Sequence, residues 1–317
     1  MKKLRRKKMV KPKCLNYGDT IGIVAPASSF DSDNFKKGIK QLRKFGYKVK
    51  FDREILSRYW SMPGHNIKRA EQINRMFADK DVKAILCAKA GYGSIDIIPY
   101  LDKKVIRNNP KIFVGYSDIT VLLLYLQKIA NMVVFHGPVV SGEIYAGMNQ
   151  HTLNYLLRAI ANPSALGRVT FPYLKSLKVG KGSGLIVGGN MTLIVATIGT
   201  PYEIDTDNKI LFLEEVGEEL EVISNFLKLI KRAGKFNKIK GLILGKMVHC
   251  YNRAGENRDM KNIVKEVFSE FDFPILYRFP SGHIKRKGEL HFTLPLGVNV
   301  NVDSHKSVVF INDSAVI

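Results

Sequence analysis

Apolar strand-like runs alternate with helical patterns along the first half of the chain, and this alternation narrows the fold more than any other feature. Thr20-Ile21-Gly22-Ile23-Val24-Ala25-Pro26 is an apolar run that ends in a loop. Residues 34–45 carry helical spacing through Phe35, Ile39 and Leu42, and Gly46 supplies a stop. Tyr47 to Phe51 alternates as a strand should. His65 to Phe77 is helical, with Ile67, Ala70, Ile73 and Phe77 on one face. Ala84 to Ala88 reads as a buried strand, followed by a glycine-rich turn and a short helix to Leu101. A strand before Ser117, a helix to Ile129 and a strand at Val133-Val134-Phe135 complete the series. Such an order predicts the α/β class, with a mostly parallel sheet covered by helices. Ligands of these sheets bind at the carboxyl ends of the strands. The loops after Val24, Ala88, Val114 and Phe135 are therefore expected to converge on one edge.

Gly142, Gly147, Pro163, Gly167 and Pro172 weaken the pattern between about 140 and 180. The domain junction is placed there: a first domain over 1–150, a linker over 151–180 and a second domain over 181–317. The second half is richer in strands, at 185–187, 210–213, 241–244, 275–277, 298–302 and 307–310. Helices fit at 191–198, 220–233 and 260–271.

The sharpest local feature is Ile112-Phe113-Val114-Gly115-Tyr116-Ser117-Asp118-Ile119-Thr120. It reads as strand, tight turn and helix, with a hydroxyl at the apex. A nucleophilic Ser needs this placement, because the first free N–H groups of the following helix face the developing oxyanion. Ile119 stands where the hydrolase motif G-x-S-x-G has its second Gly, and a helix cap explains the same residues equally well. Lys89-Ala90-Gly91-Tyr92-Gly93-Ser94 follows a buried strand. Its glycines let backbone N–H groups approach a ligand, or simply make a tight turn. Glu214 and Glu215 follow a strand-like run; a carboxylate there orients a catalytic His, or complements a helix N-terminus. His283 lies in the Pro/Gly-bounded loop Phe279-Pro280-Ser281-Gly282-His283, and His136 ends another strand. The order Ser, Glu, His is one of the known triad orders, and each member follows a strand.

Charge is the other constraint. The chain of 317 residues carries a net charge of +22, which attracts polyanions. The basic residues are spread along the chain without a recognition-helix, RNP or zinc-finger pattern, so nucleic acid is not the expected partner. A small anionic substrate fits the charge better. The basic segment Met1 to Lys11 has no apolar stretch after it, and no run approaches a membrane span. Three cysteines, Cys14, Cys87 and Cys250, form no framework and point to a reducing compartment. A cytoplasmic location without membrane contact is expected, and no metal-ligand set or cofactor motif stands out.

Taken with Gly18 to Pro26, Ala90 to Ser94, Gly115 to Thr120, Phe135 to Pro138, Gly188 to Leu193, Leu213 to Glu218, Gly282-His283 and Leu294 to Val298, the chain resembles the LD-carboxypeptidase family of serine peptidases. That family also contains the microcin C7 self-immunity proteins. The resemblance implies a Rossmann-like N-terminal domain, a smaller α/β C-terminal domain and an active site between them. It implies Ser117 as nucleophile, His283 as general base and acid, and Glu214, rather than Glu215, as the residue orienting His283. The backbone N–H groups of Gly91 and Asp118 would form the oxyanion hole. The implied substrate is a muropeptide whose terminal D-alanine is removed, the implied assembly a homodimer. Two departures stand out. Lys89-Ala90 replaces the family's usual Arg-Gly, and Ile284-Lys285-Arg286-Lys287 follows His283 where a Gly is usual. Lys89, Lys285 and Arg286 are the candidate contacts for a substrate carboxylate. Two alternatives remain: a peptidase acting on peptide–nucleotide conjugates, for which the sole Trp, Trp60, lies in the first half, and a non-catalytic polyanion-binding protein.

Overall fold

The computed structural model describes residues 9–57, 62–252 and 259–317; Trp60 and most of the basic N-terminal segment lie outside this range. The first half builds β1 (Thr20–Val24), α1 (Ser32–Lys44), β2 (Lys48–Phe51), α2 (Asn66–Ala78), β3 (Val82–Cys87), α3 (Lys103–Asn108), β4 (Ile112–Gly115), α4 (Thr120–Ala130) and β5 (Val134–His136). β4 and, beyond the exposed Lys83, β3 are apolar and buried on both faces, the signature of parallel strands sandwiched between helices. β1 to β5 are indeed parallel, in spatial order 2-1-3-4-5. The order reverses between β1 and β3, and their outgoing loops border the crevice where such sheets bind ligands.

The rest of the chain forms α5 (Gln150–Ile160), β6 (Gly167–Val169), β7 (Lys175–Lys178), β8 (Lys181–Asn190), α6 (Met191–Thr197), β9 (Ile210–Val216), α7 (Leu220–Arg232), β10 (Gly241–Val248), α8 (Met260–Phe268), β11 (Ile275–Tyr277), β12 (Leu294–Leu296), β13 (Asn299–Asp303) and β14 (Val308–Ile311). A second sheet runs β6-β14-β13-β8-β9-β10-β11-β7, parallel from β8 to β11 and antiparallel outside them.

Residues 151–180, expected as a linker, hold most of α5 and two strands of this sheet. β6 and β7 are only three and four residues long. Their pairing partners lie roughly a hundred or more residues away in sequence, so no local periodicity announces them. The two halves are also stitched together. β12 joins the first sheet, antiparallel to β5. Ile317 exchanges backbone hydrogen bonds with Pro12 and Cys14 (3.0 and 2.7 Å).

At its centre, β9 and β10, the second sheet is buried on both faces. Ile210 and Phe212 of β9 belong to the core shared with the first sheet. Leu211 and Leu213 point the other way, into a core closed by α6, α7 and α8. Alternation along the strand therefore sends Glu214 toward the first domain and Glu215 toward α6. β8 lies close against β9 because Gly188, at φ +143°, has no Cβ; one built there would sit 1.8 Å from Phe212 O. Gly188→Ala should cost more than about 2 kcal/mol. Chemical denaturation measures it, and a wild-type midpoint would mean that β8 is free to move off β9.

Candidate active site

Ser117 sits directly beyond β4, in a short 3-10 turn that leads into α4. Its φ of 60° is a left-handed conformation that a non-Gly residue adopts at a cost. Strain of this kind is the mark of a tight strand-to-helix turn that holds its side chain clear of the backbone. Gly115 makes the turn possible, since a Cβ there would meet the Ile119 side chain at 2.7 Å.

Two ties fix the turn to the glycine-rich loop after β3. The Asp118 carboxylate accepts from Ser94 N–H (2.9 Å), and Ser94 Oγ donates to Asp118 O (2.6 Å). Behind them Arg69 of α2 is fully buried. It donates to Pro26 O, to Gly93 O (3.0 Å) and to Asn66 Oδ1 (2.6 Å), joining the loops after β1 and β3. Ser28 Oγ accepts from Tyr92 N–H (3.0 Å) across the same crevice. Gly91 must lack a side chain there, because its Cβ would lie 2.4 Å from Ser28 Oγ. The backbone N–H groups of Gly91 and Asp118 donate to no acceptor among the described residues.

The second domain supplies the remaining groups. His283 Nε2 is 2.9 Å from Ser117 Oγ, and His283 Nδ1 is 2.8 Å from Glu214 Oε2. The His283 N–H donates to the same oxygen at 3.2 Å, so backbone and ring are both held. Gly282, at φ +113°, lets the loop close over Glu214; a Cβ would sit 2.6 Å from its Oε2. Ser117, Glu214 and His283 thus come together from positions 166 and 69 residues apart in sequence.

Glu214 has no solvent exposure. Burial alone pushes its pKa up, but His283 and His136 outweigh it and hold the carboxyl well below the ordinary range. His283 shows the reciprocal effect: burial disfavours its cation, yet the Glu214 carboxylate raises its pKa overall. Glu215 is held differently. Its carboxylate accepts from Asn190 Nδ2 and from Thr192 N–H and Oγ1, each at 2.8 Å. Burial raises its pKa above the ordinary value. It anchors α6 and does not reach His283.

Histidines and an aromatic ring surround the triad-like group, and sequence reasoning did not gather them. His136 is fully buried, and burial lowers its pKa against the pull of Glu214. Its Nδ1 meets Ser281 Oγ (3.1 Å), and its Nε2 lies 3.9 Å from Glu214 Oε1. Tyr116 stands edge-on to His283, His136 and His291, with centroids 5.0, 5.9 and 4.8 Å away. His291 Nδ1 lies 3.4 Å from Glu143 Oε1, and that carboxyl falls to about 2, as His291 and Tyr116 outweigh its burial. The available signal was position: His136 ends β5, on the predicted ligand edge.

The candidate carboxylate contacts separate. Lys285 lines a cleft beside the site, with Lys246 and Glu289. Lys89 is exposed, its amine 3.3 Å from Ser29 O. Arg286 is exposed and stands outside that cleft. No helix of the described residues is long and apolar enough to cross a membrane.

Comparisons with known proteins give the family and the fold. Residues 21–137 match the model of the LD-carboxypeptidase N-terminal domain, and residues 183–302 that of the LD-carboxypeptidase C-terminal domain. The chain belongs to the LD-carboxypeptidase family. It is 34% identical over 280 residues to a probable murein peptide carboxypeptidase of Bacillus subtilis, covering 86% of each chain. It matches the crystal structure of a muramoyltetrapeptide carboxypeptidase from Oxalobacter formigenes at 25% identity and TM-score 0.81, over 93% of this chain and 99% of that one. A microcin C7 self-immunity protein in complex with glutamyl sulfamoyl guanosine has the same fold, at TM-score 0.89 and 22% identity over 97% and 99% of the two chains.

The two adjacent acids give a direct check. In wild type, NMR titration should place the His283 pKa above the ordinary value of about 6.5. In Glu214→Gln the largest raising influence is gone, leaving burial against the weaker pull of Glu143 and Glu215, so the value should drop. Glu215→Gln should leave the His283 titration near its wild-type position; equal shifts in both variants would mean that Glu214 is not the partner.

Proposed function

We propose that the protein is an LD-carboxypeptidase that removes the terminal D-alanine of murein tetrapeptides, with Ser117, His283 and Glu214 as its catalytic triad. The observation that carries the triad is the continuous chain of contacts from Ser117 Oγ through His283 to buried Glu214. The murein substrate is supported by the likeness to the Bacillus subtilis and Oxalobacter formigenes proteins, whose names carry that activity.

In this reading His283 Nε2 takes the Ser117 proton as Oγ attacks the carbonyl carbon of the residue preceding D-alanine. Negative charge moves to the carbonyl oxygen. The N–H groups of Gly91 and Asp118 receive it. Glu214 holds the imidazole with Nδ1–H toward itself and stabilises the imidazolium that forms. The tetrahedral adduct collapses, the C–N bond breaks, and His283 gives its proton to the leaving amine. Water, activated by the same imidazole, then hydrolyses the acyl-enzyme and frees the tripeptide. Three free cysteines are compatible with a cytoplasmic, wall-recycling setting. A homodimer, part of the same proposal, is checked by sedimentation.

Mass spectrometry of a murein tetrapeptide, incubated with wild type beside Ser117→Ala, tests the reading. Wild type should release one alanine, and Ser117→Ala should be slower by about 10⁴-fold or more. An untouched tetrapeptide with wild type would overturn the murein assignment and turn attention to peptide–nucleotide conjugates. The raised His283 pKa adds a pH signature. The base must be neutral, so kcat/KM should rise with pH through an apparent pKa above about 6.5. A limb at or below that value would mean that His283 is not the base paired with Glu214.

A further inference from the structure

Beside the triad, at the carboxyl ends of β10 and β11, lies a cleft of about 840 Å³. Lys246, His249, Arg278 and Lys285 line it together with Tyr173 and Tyr277. Glu289 is the only acid among the described lining residues. It stands 3.3 Å from the half-buried Lys246 amine and accepts from the Lys285 N–H, so it organises two of the basic residues. Arg278 and Lys285 are exposed.

Backbone strain is present in this cleft too. Six described non-Gly residues have positive φ. One is Ser117. Two others, His249 (φ 53°) and Arg278 (φ 66°), both line this cleft, one just beyond β10 and one just beyond β11. Residues held in such conformations collect where a fold must aim a side chain at a ligand.

The cleft shares a loop with the triad. Its wall includes Pro280 and Lys285, which flank His283 in one loop. Lys246 N–H donates to Ser281 O (3.1 Å), and Ser281 Oγ bonds His136 beside Glu214. A carboxypeptidase that releases one alanine needs little room for the leaving residue. A space in the range of ordinary ligand pockets, roughly 300–1,000 Å³, suits the longer, acyl side of a peptide.

We propose that this cleft binds the acyl side of the substrate and that its cations, Arg278 and Lys285 foremost, recognise a carboxylate carried there. The proposal rests on the carboxypeptidase reading above and names the kind of peptide it acts on: an acidic one, with a free carboxylate upstream of the scissile bond. An arginine and a lysine supply charge-assisted hydrogen bonds to such a group, which are stronger than neutral ones.

The test uses two murein tetrapeptides, one with its glutamyl carboxylate free and one with that carboxylate amidated. Wild type should prefer the free acid by roughly tenfold or more in kcat/KM, the effect of a charged hydrogen bond. Arg278→Gln and Lys285→Gln, both at exposed positions, should raise KM for the free acid and bring that preference toward one. Equal use of both peptides by wild type, or a preference that both variants keep, overturns the proposal. If wild type cleaves neither peptide, the carboxypeptidase reading fails instead. Calorimetry of both peptides with Ser117→Ala then still reads the cleft. Tighter binding of the free acid, lost with Arg278→Gln, supports it, and equal affinities sink it.

Discussion

The site depends on a carboxylate that has been taken wholly out of water. An isolated buried carboxylate takes up a proton rather than remain charged. Glu214 is held as the anion because His283 and His136 approach its two oxygens from different sides. The geometry has to be good, since a buried ion pair offsets its desolvation only when the partners are closely placed. His283 meets it with both its ring and its backbone N–H. One oxygen thereby fixes the direction of the imidazole, and the imidazole fixes the approach to Ser117.

That requirement spreads into the rest of the fold, because the partners come from different domains. Ser117 leaves the first sheet and Glu214 the second, and a shift of about 1 Å between them would spoil the alignment. Several contacts oppose such a shift. β12, only eleven residues beyond His283, is a strand of the first sheet. Asn190 N–H, at the end of β8, bonds Thr120 Oγ1 at the head of α4 (3.0 Å). Gly189 permits that approach, as a Cβ there would meet Thr120 at 2.6 Å. The core around Phe212, Phe279 and Phe292 is continuous with that of the first domain. The interface behaves as one more layer of core, not as a hinge.

Much of this was legible in the chain. Most of the parallel strands announced themselves as apolar runs, β2 by alternation instead, and each of the three residues in the contact chain from Ser117 to Glu214 followed an apolar run. Elements made by distant pairing were not legible. β6, β7 and β12 are three or four residues long and take their form from partners far away in sequence. Arg69 was also hidden. A helical Arg normally faces water, and nothing in α2 says that this one fills the crevice between two loops. The same holds for His136 and His291, whose spacing in sequence gives no hint that they share Tyr116.

The adjacent acids of β9 show where local pattern stops and packing begins. Glu214 and Glu215 are alike in type, and both are buried. A strand places them on opposite faces, which the sequence does imply. Which face looks toward Ser117 is decided by the layers above and below. One face meets two histidines, so Glu214 is held ionised. The other meets an amide, a hydroxyl and backbone N–H groups, none of them charged, and Glu215 moves the opposite way. Neighbouring titratable groups pushed apart by their surroundings separate chemistry from scaffolding. Here the strand puts the charge-holding acid at the crevice and the helix-holding acid behind it.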